Sequence, residues 1–487
     1  MLWLAVAVAF RRGFSALRAH VGALLDVDAW SSTAPKTIAP VLAMLLAASC
    51  VPSSQELRAP VDQLVAQRLG ASVPVGGGAG DVLGEAELTA LLGKPLDLAA
   101  ATRIALARNP QLRVAFDQLD LAGAEVAAAL GLGPVEVGAQ LRFAGDHREY
   151  EVDAVQGLVG LLTAPGRRAA AHAEVSAARA SAAAAALRLA ARVEIAFDDL
   201  LAAQQDAALR QAAFDAADAA ATLRERMHAA GNTTELALAR DRDAREQARL
   251  ELERARAAAA VRHDAAAAVI GLSGDRTWSA TGELREVPAA PPALDGLEAT
   301  AVGASLDLAA GRDRRDAAEH RAADERLRSV LPELGVGVAV ADDGRGTGVG
   351  PTVRIGIPLL DPRSGERARA GARVRQADHM IEAQRIALTA AARAAKTTAL
   401  AAHQEVRQLH DVVLPLRQQI VNETLKHYNA MDADPFALIA ARQGLVDATH
   451  QYVDAARRYW NAMAEVNALS RGAMLEPLPE IGRTDAP

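Results

Sequence analysis

Cys50 is the one cysteine in 487 residues, and it follows the segment KTIAPVLAMLLAAS at 36–49. A lysine, an apolar run too short to cross a bilayer, and small residues before a thiol form the layout of an export signal. The thiol stands where a bacterial lipoprotein would be acylated, so Cys50 is the candidate lipidation site; a plain signal peptide cut nearby is the alternative. Two aspartates, Asp432 and Asp434, flank Ala433 just before Pro435. Their chemistry is either helix capping or a local negative field. His403 and His410 lie seven apart, a spacing that lets two imidazoles face one way on a helix, but no thiol or carboxylate set accompanies them as a metal centre would require. Gly344, Gly346, Gly348 and Gly350 alternate as a hairpin turn does, and lack the lysine of a phosphate cradle. No P-loop, HExxH or paired-cysteine pattern occurs, so no residues support an enzyme, a cofactor or a metal; the expected modification is a covalent lipid on Cys50.

Those residues need elements to hold them. Aromatic residues make up 3% of the chain, hydrophobic residues 51% and charged residues 23%, with a net charge of −7. This balance excludes a basic nucleic-acid binder and a disordered polyelectrolyte. The surplus of Ala, Leu, Arg, Glu and Gln predicts long, closely packed helices. Residues 1–49 read as a signal or export segment whose start is placed too far upstream. Residues 50–96, with VPVGGGAG at 73–80, read as a linker.

The following residues read as one layout used twice. The first repeat spans 97–272, with a hairpin at 135–162. A linker occupies 273–303. The second repeat spans 304–472, with a hairpin at 334–360, and a tail covers 473–487. Strands alternate in both: Val135, Val137, Leu141 and Phe143 against Glu136, Gln140 and Arg142, then Val336, Val338 and Val340, then Val353, Ile355 and Leu359. A period of two gives each strand one apolar face, and nine to eleven residues is about the length that crosses a bilayer at a tilt. The stretch 166–230 holds no proline, and no glycine beyond its first residue. At 1.5 Å per residue it would reach about 98 Å. Its counterpart from Gly365 onward is expected to be interrupted at Gly371 and kinked at Pro415. The turns AAGNTTEL at 229–236 and NAMDADPFAL at 429–438 close the two hairpins. Leu438, Leu445, Tyr452, Tyr459 and Val466 recur every seven residues, a coiled-coil seam. Four strands leave two open edges, which lipid does not tolerate, so a membrane location demands several copies of the chain.

In this order the motifs resemble the TolC-like outer membrane efflux family. ALARNPQL at 105–112 is similar to its opening segment, and LPEL at 331–334 to its helix-to-strand junction. IPLLD at 357–361 with Gly365 and Arg367 is similar to its strand-to-helix turn, with Leu360 replacing an aromatic residue. FDDLL at 197–201 and Ala230-Gly231 with Glu235-Leu236 complete the series. The resemblance implies a mainly α fold with a membrane β-barrel portion. Long coiled-coil-like helices would form an α-helical tunnel, and four strands per chain would join an oligomeric barrel. It implies a homotrimer in outer membrane lipid with a large periplasmic portion, docked to a periplasmic adaptor and an inner-membrane pump and passively conducting exported substrate.

By the same resemblance Gly231, Asn232, Thr233, Leu236, Met431 and Phe436 form the adaptor-docking tips, and Asp432 and Asp434 are the gate candidates. Asn232 and Thr233 either cap the returning helix or offer hydrogen bonds to the adaptor. The sequence departs from the pattern at Ser305-Leu306, where a proline is expected. It departs again in its thin aromatic girdle, for which Phe143 and Tyr150 are the candidates. A competing reading is a lipid-anchored periplasmic coiled-coil scaffold with no channel.

Overall fold

The computed structural model describes residues 52–70, 83–130, 135–144, 147–272, 276–342, 346–356 and 363–476. Cys50, the export segment 1–49, the IPLLD motif and most of the tail lie outside the described residues. Among the described residues no helix is long and apolar enough to cross a membrane.

The stretch read as a linker carries two helices, α1 (Ser54–Leu69) and α2 (Glu85–Leu92). Ser53 and Glu56 form a reciprocal capping box at the start of α1, which ends at Gly70 in the left-handed region. Leu57, Val61 and Val65, one turn apart, are buried against the body of the molecule. Each contributes about 1.5–3 kcal/mol relative to exposure. Arg58 pairs with Asp120 at 2.7 Å. The glycine- and proline-rich composition belongs to 71–82, and it masked the helix signal on either side.

The first repeat runs α3 (Leu98–Arg108), α4 (Pro110–Leu130), β1 (Val135–Ala144), β2 (His147–Gly157), the single turn α5 (Val159–Leu162), α6 (Ala164–Ala229) and α7 (Glu235–Ile270). The second runs α8 (Leu297–Ala304), α9 (Leu306–Val330), β3 (Glu333–Asp342), β4 (Thr347–Gly356), α10 (Ser364–Gln408), a π-helical turn at Leu409–Val413, α11 (Leu414–Asn429) and α12 (Pro435–Arg471). The second repeat therefore opens at α8, inside the expected linker. Strand β2 stops at Gly157 and does not run to Leu162, because LVGLL at 158–162 loses the alternation and closes into a helical turn.

Both repeats fold back onto their own openings. α7 and α12 end at Gly271 (φ 85) and Gly472 (φ 95), and each glycine packs on the junction that opens its repeat. A Cβ on Gly271 would sit 3.0 Å from Cα of Asn109, and one on Gly472 would sit 2.1 Å from the carbonyl oxygen of Ala304. The Ser305-Leu306 departure has a physical outcome. Pro110 has no N–H, and in that repeat the Asn109 side chain donates to the Val269 carbonyl at 2.7 Å. Leu306 recovers the N–H and donates it to the Gly472 carbonyl at 2.9 Å.

Helix α6 is continuous over 66 residues, about 99 Å. Its sheet-side half is lined by buried alanines (Ala182, Ala183, Ala184, Ala186, Ala190), which lets neighbouring helices approach closely. In the second hairpin Gly371 does not break α10. The disturbance comes at Leu409–Val413, immediately before Pro415. A proline within a helix removes one donor and pushes on the carbonyl four residues back, and the wider π turn accommodates it. Along α12, Tyr459 and Val466 of the seven-residue seam are buried against α10, while Leu438, Leu445 and Tyr452 are half-buried toward the tip.

The four strands form one antiparallel sheet in the order β1-β2-β3-β4. The register pairs Val137 with Ala154, Ala154 with Val338 and Val338 with Pro351.

Candidate conduit and hairpin tips

That register gives the sheet two unlike faces. One carries Val137, Leu141, Val152, Val338, Val349 and Val353 in neighbouring positions, and these are exposed in the single chain: Val137 by 72% and Val349 by 71%. The other carries Glu136, Arg142, Glu151, Asp153 and Arg354 among glycines. Arg354 reaches across it to Glu136 at 3.0 Å and Asp153 at 2.8 Å. The outer edges of β1 and β4 pair with no described strand. Such a sheet suits a wall with lipid outside and water inside.

The hairpin tips lie at the ends of α6 and α11. At the first, Gly231 takes φ 73, the Asn232 N–H donates to the Met227 carbonyl at 2.8 Å, and α7 starts at Thr234. At the second, Met431 takes φ 60, the Asp432 N–H donates to the His427 carbonyl at 2.9 Å, and α12 starts at Asp434. The two tips are the same turn, 200 residues apart, with a methionine where the first has glycine. The caps are Thr234, whose Oγ1 accepts from the Ala237 N–H, and Asp434, which accepts from the N–H groups of Phe436 and Ala437. Neither Asn232 nor Thr233 caps α7; Thr233 accepts from Arg224 instead, at 3.2 Å. Leu236 and Met431 are exposed, Met431 by 95%. Each tip carries a histidine–carboxylate pair, His228 with Glu235 at 3.1 Å and His427 with Asp432 at 2.8 Å. Thus Asp434 is committed to capping, Asp432 is held by His427, and Phe436 lies under the guanidinium of Arg224.

Midway along the helices, residues 276–296 strap the two repeats together. The segment pairs with Leu96 through Leu96 N–H to Ser279 and Thr281 N–H to the Leu96 carbonyl. Arg285 bonds to Asp198 at 2.8 Å and stacks on Trp460, whose indole N–H donates to the Arg285 carbonyl. Within the FDDLL motif, Phe197, Leu200 and Leu201 enter the core. Asp198 turns to the strap, and Asp199 turns to Arg457 at 3.1 Å and Arg262 at 3.2 Å. Burial pushes the Asp198 carboxyl up to about 6, with Arg285 opposing the shift.

His403 is buried and bonded to the Pro288 carbonyl, while His410 is bonded to Asp411, so the two histidines do not share a site. Among the described residues no group of histidine, cysteine and carboxylates could hold a metal ion. The residues that sequence reasoning missed, Arg224, Arg285 and Arg457, act through partners distant in sequence.

The sequence matches no protein-family profile and no curated protein. Solved structures do match. The outer membrane protein VceC from Vibrio cholerae is 17% identical, with a TM-score of 0.63 over 78% of this chain and 97% of its own. The Campylobacter jejuni CmeC outer membrane channel is 13% identical, with a TM-score of 0.63 over 78% of this chain and 86% of its own. The Neisseria gonorrhoeae MtrE outer membrane channel, in its open state, is 18% identical, with a TM-score of 0.58 over 78% of this chain and 90% of its own. The chain has the fold of an outer membrane channel. In that channel fold the two-faced sheet, the long hairpins and the tip turns are successive parts of one repeat, which explains their 200-residue spacing.

Proposed function

We propose that the chain belongs to the TolC-like family and is the outer membrane component of a multi-part export system. Three copies would pool twelve strands into a barrel and their hairpins into a periplasmic tunnel. Substrate delivered by an inner-membrane pump through a periplasmic adaptor would pass outward without chemical change. The observation that carries this reading is the sheet: a mainly apolar face opposite the face that carries most of the charges, two edges that pair with no described strand, and continuity from β2 through 158–163 into a helix of about 99 Å. A scaffold that never entered a membrane would have no use for the exposed valines.

The tips are the adaptor-docking surface, with Gly231, Asn232, Thr233, Leu236, Met431 and Phe436 at the far end of the hairpins. Asp432 and Asp434 place two carboxylates per copy near the entrance, a ring that favours cations. Acylation of Cys50 fits the placement of α1. Leu57 lies beside Arg179, bonded through its carbonyl at 3.3 Å, whereas Arg68 reaches the carbonyls of Ala304 and Arg471. The start of α1 therefore points toward the sheet.

Membrane extraction tests the reading. A conduit needs detergent to leave the membrane and migrates as a heat-resistant trimer, with or without Cys50. Release of a Cys50→Ser protein into plain buffer would establish the lipid-anchored scaffold instead.

A further inference from the structure

The aromatic residues of the sheet, Phe143 and Tyr150, lie toward its far end, close to the β1–β2 turn. At the end that meets the helices the described residues hold no aromatic side chain. In its place Leu161, Leu162 and Val330 are exposed, by 41%, 54% and 80%. Arginines follow immediately. Arg168 lies four residues into α6 and Arg326 four residues before the end of α9, each about 6 Å from the sheet end of its helix. At the start of α10, Arg367, Arg369, Arg373 and Arg375 have Glu366 as the one carboxylate among residues 364–375.

The placement of this belt is fixed by contacts: Arg363 pairs with Glu333, the first residue of β3, at 3.2 Å, and Arg167 donates to the Gly160 carbonyl at 2.8 Å. Arg168, Arg326, Arg367, Arg373 and Arg375 are exposed and form no ion pair with a described residue. On α7, Arg242, Arg245, Arg249 and Arg256 pair with carboxylates while Arg240 and Arg254 form no ion pair with a described residue, so what sets the belt apart is its clustering beside the exposed apolar rim. Unmatched guanidinium groups just beyond an exposed apolar rim follow the polarity gradient of a membrane interface, where arginine meets phosphate bidentately.

We infer that this belt is the inner anchor of the sheet and binds the headgroups of anionic phospholipids in the leaflet facing the helices. It replaces the aromatic girdle absent at that rim. The inference rests on the sheet crossing a membrane. Each exposed arginine near an anionic surface adds a favourable, salt-screened interaction, so the belt selects charge and not acyl chain.

The purified full chain, equilibrated in mild detergent with equal amounts of phosphatidylglycerol and phosphatidylcholine, tests this through the bound lipids counted by native mass spectrometry. Wild type should retain phosphatidylglycerol preferentially. Arg168→Gln, Arg326→Gln and Arg367→Gln together should lower that preference about tenfold, and the corresponding lysine triple variant should keep most of it. Equal retention of the two lipids by wild type, or an unchanged preference in the glutamine variant, would overturn the inference. Conductance of wild type and variants across pure phosphatidylcholine bilayers separates the two levels. Conductance without lipid preference removes only the anchor, whereas no insertion in either lipid removes the membrane-spanning reading and the anchor with it.

Discussion

The Arg224 guanidinium lies 3.3 Å from the centroid of the Phe436 ring, which joins the tip of the first hairpin to the tip of the second. The same side chain holds Asp241 at 2.5 Å and Thr233 at 3.2 Å, so one arginine ties the turn, the returning helix and the neighbouring hairpin. Phe436→Ala removes only the link between hairpins and leaves the Asp241 pair intact. A stacked pair at a half-buried site contributes about 0.5–2 kcal/mol. Amide exchange at 225–240 and 430–440 should therefore accelerate severalfold, with conductance raised. Unchanged exchange at both tips would show that the stack does not hold them together.

The left-handed positions divide by what surrounds them. Gly231 has open space where a Cβ would go, so Gly231→Ala should cost only about 1 kcal/mol, the backbone term. Gly472→Ala adds a collision with the Ala304 carbonyl and should cost clearly more. Met431→Gly should stabilise the second tip by about 1 kcal/mol, since Met431 holds φ 60 without need of its side chain. Denaturant unfolding of the three variants gives the order; equal losses for Gly231→Ala and Gly472→Ala would contradict the packing described at the second junction.

Asp198 ties stability to pH. Burial raises its carboxyl from 3.8 to about 6, so the folded chain keeps a proton there between about pH 4 and 6 that the unfolded chain has released. This group therefore favours folding most below about pH 4, and the contribution is lost as pH rises to 6, by about 3 kcal/mol in total. Asp198→Asn, which carries no charge at any pH, should flatten that part of the stability profile in thermal unfolding between pH 4 and 7. A slope identical to wild type would place the titration elsewhere.

Much of this was legible locally. The strand alternation, the uninterrupted 166–230 stretch and the glycine stops at Gly271 and Gly472 depend on neighbours in sequence, and the structure follows them. Helix α1 was obscured because its capping box and its Leu57, Val61, Val65 spacing sit beside a glycine-rich run. Asn232, Thr233 and Thr234 are three adjacent polar residues that compete for the cap of α7, and only the backbone angles select Thr234. The Arg224–Phe436 stack joins positions 212 residues apart, and nothing in the periodicity of either helix announces it.

The gate assignment depends on charge alone. Asp432→Asn with Asp434→Asn keeps the capping acceptor at 434 and the turn, and removes both carboxylates. If these residues set the entrance field, cation selectivity should fall and export should change, while the helical circular dichroism stays as in wild type. Wild-type selectivity and export in the double variant would leave Asp434 a cap and Asp432 the partner of His427.

On the proposed function, copies of this chain close their four-stranded sheets into one conducting barrel. Single-channel recording of the purified, detergent-solubilised oligomer in planar bilayers tests it most directly, with the mass of the inserted species measured in parallel. A trimer that opens discrete, ion-conducting pores is expected. A stable monomer, or a trimer that never conducts in wild type or in the Phe436→Ala variant, would contradict it.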